Sequence, residues 1–95
     1  MSAYLVFIKE RTLDPAEMAV YQQKVSALLG TFGIKVLAAY GAQEILEGGP
    51  AEGVVIAEFP TVEDAKGWYN SPAYEEARQH RSKGGEYRCI LVQGV

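Results

Sequence analysis

The stretch Val54-Val55-Ile56-Ala57-Glu58-Phe59 reads as a strand that can leave neither face to water. Its β-branched and aromatic residues suit a pleated surface. Side chains alternate along a strand, so Val54 and Ile56 point one way and Val55, Ala57 and Phe59 the other. Both faces are mostly apolar, and both predict a cover. Two more stretches repeat the pattern. Ala3–Ile8 sets Leu5 and Phe7 against Tyr4, Val6 and Ile8, and Tyr87–Gln93 sets Cys89 and Leu91 against Ile90 and Val92. Any fold for this chain must cover both sides of a sheet.

The helices that supply one cover announce their starts. Pro60 ends the strand, and Thr61 reads as an N-cap with Asp64 three residues on. Val62, Ala65, Trp68 and Tyr69 then share one helical face. Asn70-Ser71-Pro72 breaks this helix, with Ser71 able to cap a second one and Pro72 suited to its first position. Tyr74, Ala77 and Arg81 continue at helical spacing until Gly84-Gly85 ends the segment. Nearer the N-terminus, Asp14, Pro15 and Glu17 form a capping-box start. The stripe Met18, Tyr21, Val25, Leu28 and Phe32 predicts a helix running to a cap at Gly33. A long strand is expected from Ile34 or Lys35 to about Glu47, bent or bulged at Gly41, with Gly48-Gly49-Pro50 turning the chain back.

The order is β-α-β-β-α-β in a single α+β domain spanning residues 1–95. This is the ferredoxin-like pattern, a four-stranded antiparallel sheet with its helices on one face. The helices cover only that face. No spare segment covers the other, so the pattern predicts a homodimer paired sheet to sheet about a twofold axis.

Composition narrows the partners. The net charge of -3 argues against nucleic acid or an anionic membrane as the main partner. A single cysteine, Cys89, allows no intrachain disulfide, and no run approaches the roughly 18 apolar residues of a membrane span. With no basic region before the first apolar run, a signal peptide is not expected, and a cytoplasmic protein is.

The segment EFPTVEDAKGWYNSPAYEEAR, followed by a strand ending LVQGV, resembles a family of small uncharacterised proteins, domain-of-unknown-function family thirteen-thirty. The resemblance extends to the strand beginning at Tyr4, the Asp14-Pro15 helix start and the turn at Gly48-Gly49. It is most specific at Trp68–Tyr74. It implies membership of the dimeric α+β barrels, whose wider group includes cofactor-free monooxygenases, muconolactone isomerases and haem-binding enzymes. It carries no established activity for this chain.

The candidate residues each read in two ways. Glu58, on the face of Val54 and Ile56, is either a general base or ligand anchor, or a structural carboxylate paired with an arginine or exposed at the strand's end. His80, the one histidine, is a proton shuttle or a solvated surface residue beside Glu75, Glu76, Arg78, Arg81 and Lys83. With Glu76 it supplies two metal ligands, too few for a site, and a haem role follows only by analogy with the wider group. Trp68, Tyr69 and Tyr74 line an aromatic pocket or anchor the core, and Tyr40 offers a hydroxyl to a cavity or packs across strands. Arg78 and Arg81 clamp an acidic substrate or pair with Glu75, Glu76 or Glu58. Cys89 reads as a buried, inert thiol.

No catalytic triad, paired-carboxylate motif, phosphate loop or dinucleotide fingerprint is present, and no metal or cofactor is expected. Two functional readings follow. In one, a dimer binds or transforms a small organic molecule in a pocket between sheet and helices. Glu58 and His80 are then the candidate catalytic residues, and Tyr40, Trp68 and Arg78 the substrate-binding ones. In the other, the dimer is a non-catalytic accessory module.

Overall fold

The computed structural model describes residues 1–95. The elements are β1 (Ala3–Thr12), α1 (Pro15–Ser26), β2 (Lys35–Ala39), β3 (Gly53–Phe59), α2 (Val62–Tyr69), α3 (Pro72–Gly84) and β4 (Gly85–Gln93). The strands form one antiparallel sheet in the order β2-β3-β1-β4. Its inward face carries Ala3, Leu5, Phe7, Ala57 and Phe59, buried beneath Met18, Tyr21, Ala65, Trp68, Tyr74 and Ala77 of the helices. The expected ferredoxin-like α+β fold is the observed one.

The helix starts form largely as the sequence predicts. Asp14 accepts a hydrogen bond from the Ala16 N–H at 3.0 Å. The Glu17 carboxylate does not close the expected capping box. It turns instead to His80 on α3, 2.6 Å away. Thr61 accepts from the Asp64 N–H at 3.0 Å, and Ser71 from the Tyr74 N–H at 3.3 Å.

Two boundaries differ from expectation. Helix α1 ends at Ser26, with Ala27 as its C-cap, well before Phe32 and Gly33. Val25 and Leu28 still pack on the core, but Phe32 takes a positive φ of 54° and is 45% exposed. It leaves the helical stripe because its ring lies over Gly67 of α2, where a Cβ would meet it at 2.8 Å. Gly33, with φ 71°, brings the backbone past the Pro60 ring, a passage with no room for a side chain.

Strand β2 ends at Ala39, not near Glu47. Its register shifts between Val36 and Ala38, and Tyr40 then enters the left-handed region at φ 56°. The Tyr40 N–H still bonds Val54 O at 2.9 Å, but the chain after it leaves the sheet. Ile45 and Leu46 are left exposed.

All three helices lie on one side. On the other, Val6 stands in register with Ile56 and Ile90, and Ile8 with Val54. Ile90 and Val92 are 42% and 49% exposed, so this apolar face lies open in the protomer.

The Asp14 cap is testable. Asp14→Ala removes one helix-terminal acceptor, worth about 1 kcal/mol. In a domain of this size that lowers Tm by roughly 4–8 °C, measurable by calorimetry. An unchanged Tm would mean that α1 does not depend on this cap.

Candidate functional site

The site lies where α1 leans away from the β2 edge of the sheet. Phe7, Val36, Val55, Ala57 and Tyr87 form its floor, and Tyr21, Val25 and Trp68 its roof. Its volume is about 110 Å³, and twelve of its thirteen lining residues are apolar or aromatic. Such a volume is close to, and somewhat below, the ~150 Å³ of an engineered apolar cavity that takes benzene. The pocket therefore fits a single ring or a short chain.

Polar groups gather at one end. Tyr40 and Tyr87 share a hydroxyl–hydroxyl hydrogen bond of 2.5 Å across the sheet. Gly53 makes the bridge possible, because a Cβ there would strike the Tyr40 ring. Lys9 Nζ stands 5.0 Å from the centre of that ring. Deeper in, the Tyr21 and Tyr74 hydroxyls bond at 2.9 Å, tying α1 to α3.

Arg81 reaches from α3 into this group and is only 7% exposed. Its guanidinium carbon lies 5.4 Å from the centre of the Phe7 ring and 5.0 Å from that of Tyr87, two walls of the pocket. Its Nε and Nη1 atoms are buried with no hydrogen-bond partner. None of the ion pairs involves it: Glu17 pairs with His80, Glu76 with Lys24 and Glu86 with Arg11. Two ring contacts of this kind return about 0.5–2 kcal/mol each. Burying a charge without a counter-ion costs several kcal/mol. The rings offset part of that cost, and Arg81 also borders a small surface cavity with Ser82, Gly85 and Tyr87, where its third nitrogen, Nη2, is not among the buried unpartnered atoms.

The surroundings shift the titrating groups in a consistent way. Burial pushes the Tyr21 and Tyr87 hydroxyls upward, helped in each case by its hydroxyl partner, with Arg81 opposing weakly. Burial likewise raises Tyr74, to about 12, against the pull of Arg81. The Cys89 thiol is raised by burial, with Arg81 and Arg78 partly offsetting it. That environment holds a neutral, unreactive thiol.

The residues singled out from sequence divide by place. Tyr40 and Trp68 line the pocket together. Trp68 also donates its indole N–H to Leu28 O at 3.3 Å. Arg78 lies outside, 4.7 Å over the Tyr69 ring and without a carboxylate partner. His80 and Glu17 join α3 to α1 and do not line the pocket. Glu58 lies on the opposite face of the sheet, where it accepts a hydrogen bond from the Tyr4 hydroxyl at 3.2 Å and stands in register with Lys35 of β2. Of the structural readings of Glu58, the pairing with an arginine is absent, and the side chain is half-buried. A second cavity of about 190 Å³, between α2 and β4, is lined by Leu5, Lys66, Tyr69 and Cys89 among others, and contains neither hydroxyl pair. Sequence reasoning missed Tyr21 and Tyr87 as site residues and did not foresee Arg81 without a partner. The available signal was Arg81 in the same stripe as Tyr74 and Ala77, a charge on an apolar helical face.

The raised tyrosines fix the sign of an alkaline prediction. Unfolded tyrosines lose their protons near pH 10, whereas Tyr21, Tyr74 and Tyr87 keep theirs while the fold persists. Above about pH 10 the unfolded state therefore binds fewer protons, and stability falls as pH rises. Denaturant melts should show this fall. Phenolate absorbance at about pH 10.5 should be clearly lower for the folded than for the unfolded chain, and equal absorbance would contradict the buried hydroxyl cluster.

The same architecture occurs in other solved proteins. A protein of unknown function from Rhodopseudomonas palustris superposes with a TM-score of 0.75 at 21% identity, over 99% of this chain and 82% of its own. A dimeric protein of unknown function with a ferredoxin-like fold, from Bacteroides fragilis, gives 0.65 at 13% identity, over 98% and 96%. SnoaB, a cofactor-independent oxygenase from Streptomyces nogalater, gives 0.66 at 11%, over 99% and 92%. No curated protein matches the chain. The sequence profile of the domain of unknown function DUF1330 matches residues 2–95, and the chain belongs to that family.

Proposed function

We propose that two copies of this chain pair through their open sheet faces, and that each binds a small organic molecule in the pocket between α1, β2 and the sheet. The observation that carries the reading is the pocket: an apolar chamber ending in tyrosine hydroxyls, the composition of a small-molecule site. The pairing is supported by Val6, Ile8, Val54, Ile56, Ile90 and Val92, an apolar row on the face that no helix covers, with Ile90 and Val92 42% and 49% exposed; exposed apolar patches of this kind mark interaction surfaces. The Bacteroides fragilis relative is described as dimeric, and SnoaB as an oxygenase that needs no cofactor.

On this reading Tyr40 and Trp68 are ligand-contacting residues. Glu58, with Tyr4 and Lys35, serves the interface as a polar lock and takes no part in the pocket. His80 ties α3 to α1, one of the two helices that roof the site. The free Cys89 and the acidic net charge accord with a cytoplasmic protein that binds neither nucleic acid nor membrane. No helix is long and apolar enough to cross a membrane.

Both parts are open to test. Sedimentation at micromolar concentration should give about twice the chain mass, as a sheet-to-sheet interface requires. Glu58→Gln should weaken the dimer without changing ligand affinity. A thermal-shift screen of single-ring and short-chain molecules should return hits, and Val36→Trp, which fills the pocket rim, should abolish their shifts. A monodisperse monomer would overturn the pairing. A screen with no hits, or hits indifferent to Val36→Trp, would overturn the pocket and leave the accessory-module reading.

A further inference from the structure

We infer that the pocket takes a small neutral ketone or aldehyde, whose carbonyl oxygen accepts a hydrogen bond from the Tyr40–Tyr87 hydroxyl pair. The inference rests on the pocket reading above and adds the chemical class of the ligand.

Its basis is a count of hydrogens. Tyr40 and Tyr87 both line the chamber, and their hydroxyls bond each other. Each hydroxyl carries one hydrogen. Whichever of the two donates, the other keeps an O–H that no protein group accepts. The polar end of the chamber therefore holds one free donor. A phenol oxygen shares its lone pairs with its ring and accepts only weakly. A ligand hydroxyl would bring a hydrogen that this end serves poorly, whereas a carbonyl brings none and needs only the donor. The backbone is bent to place that donor. Tyr40 has φ 56°, a conformation uncommon for a bulky side chain, and its ring fills the space that a Cβ on Gly53 would need. Strain of this kind gathers at ligand sites.

Charge and size narrow the class further. Apart from Gln22, every lining residue is apolar or aromatic, and none is charged. Lys9 stands 5.0 Å over the Tyr40 ring and does not line the chamber, and Arg81 lies behind the Tyr87 ring in a separate cavity. An anion would give up its hydration here and find no counter-ion. The same surroundings push the Tyr87 hydroxyl upward, chiefly through burial and then through its bond with Tyr40, because a negative charge at this end is disfavoured. A chamber of about 110 Å³ takes one ring or a few methylenes, so the apolar body of the molecule lies along Val25, Val36 and Val55.

The test uses pairs alike in shape that differ in the oxygen: cyclohexanone with methylenecyclohexane, and benzaldehyde with styrene. Affinities are read by NMR titration at neutral pH for the parent and for the double variant Tyr40→Phe, Tyr87→Phe. The preference for each carbonyl over its hydrocarbon should be about fivefold greater in the parent than in the double variant, the scale of one neutral hydrogen bond. Benzoate should bind more weakly than benzaldehyde. The infrared carbonyl band of bound cyclohexanone should lie below its position in hexane, as that of a hydrogen-bonded carbonyl does. This reading uses the parent alone, so it decides the matter if the double variant does not fold. An equal preference in the two proteins, a band at the hexane position, or tighter binding of benzoate would each overturn the inference and leave the pocket standing. Cyclohexanol bound more tightly than cyclohexanone would overturn it in favour of an alcohol. Failure of every probe to bind the parent would overturn both readings.

Discussion

Trp68 and Tyr74 stack with their ring centres 4.1 Å apart, and the helical layer is joined to the sheet through them. Phe59 of β3 meets Trp68 at 5.7 Å, Tyr69 meets Tyr74 at 5.4 Å, and Tyr21 of α1 meets Tyr74 edge-on at 6.3 Å. One connected set of rings thus contacts α1, α2, α3 and the sheet. Truncating a buried ring of this kind costs about 3–5 kcal/mol, a large share of the 5–15 kcal/mol that keeps a small domain folded. The break at Asn70-Ser71-Pro72 gains its meaning here. It lets α3 start in a new direction, so that Trp68 and Tyr74 face each other while Ser71 caps the new helix.

That arrangement also sets the pocket and its tension. With α2 and α3 pinned, α1 closes against α3 through the Tyr21–Tyr74 hydroxyls and the Glu17–His80 contact, and leaves the β2 edge uncovered. The Tyr40–Tyr87 hydroxyls fall at the end of that opening, and Arg81 lies behind the Tyr87 ring, in a separate small cavity. A wholly apolar filling would make a more stable core than an unpartnered guanidinium among tyrosines.

Much of this was legible in the sequence, because caps and alternation are local. Asp14-Pro15, Thr61 with Asp64, and Ser71-Pro72 each place a helix start within the residues that form it. The boundaries that escaped are decided by distant partners. Phe32 lies at helical spacing from Leu28, yet it is drawn onto Gly67 on another element. Tyr40 reads as one more strand residue until Gly53, opposite it, leaves room for its ring. Glu58 shows a different limit. Alternation sets it apart from Ala57 and Phe59, but a strand apolar on both faces does not reveal which face the helices take. His80 met its partner across 63 residues, a distance at which no spacing argument works.

The central claim, that the chamber between α1 and the β2 edge takes a small molecule, is read most directly at Trp68, which lines it and is the one tryptophan of the chain. The Trp68 indole N–H can be followed by proton–nitrogen NMR. Adding a single-ring molecule that raises the melting temperature should shift this resonance in step with binding. A molecule that stabilises the protein and leaves the Trp68 resonance unmoved would contradict the claim: it would bind elsewhere, and the chamber would be packing space.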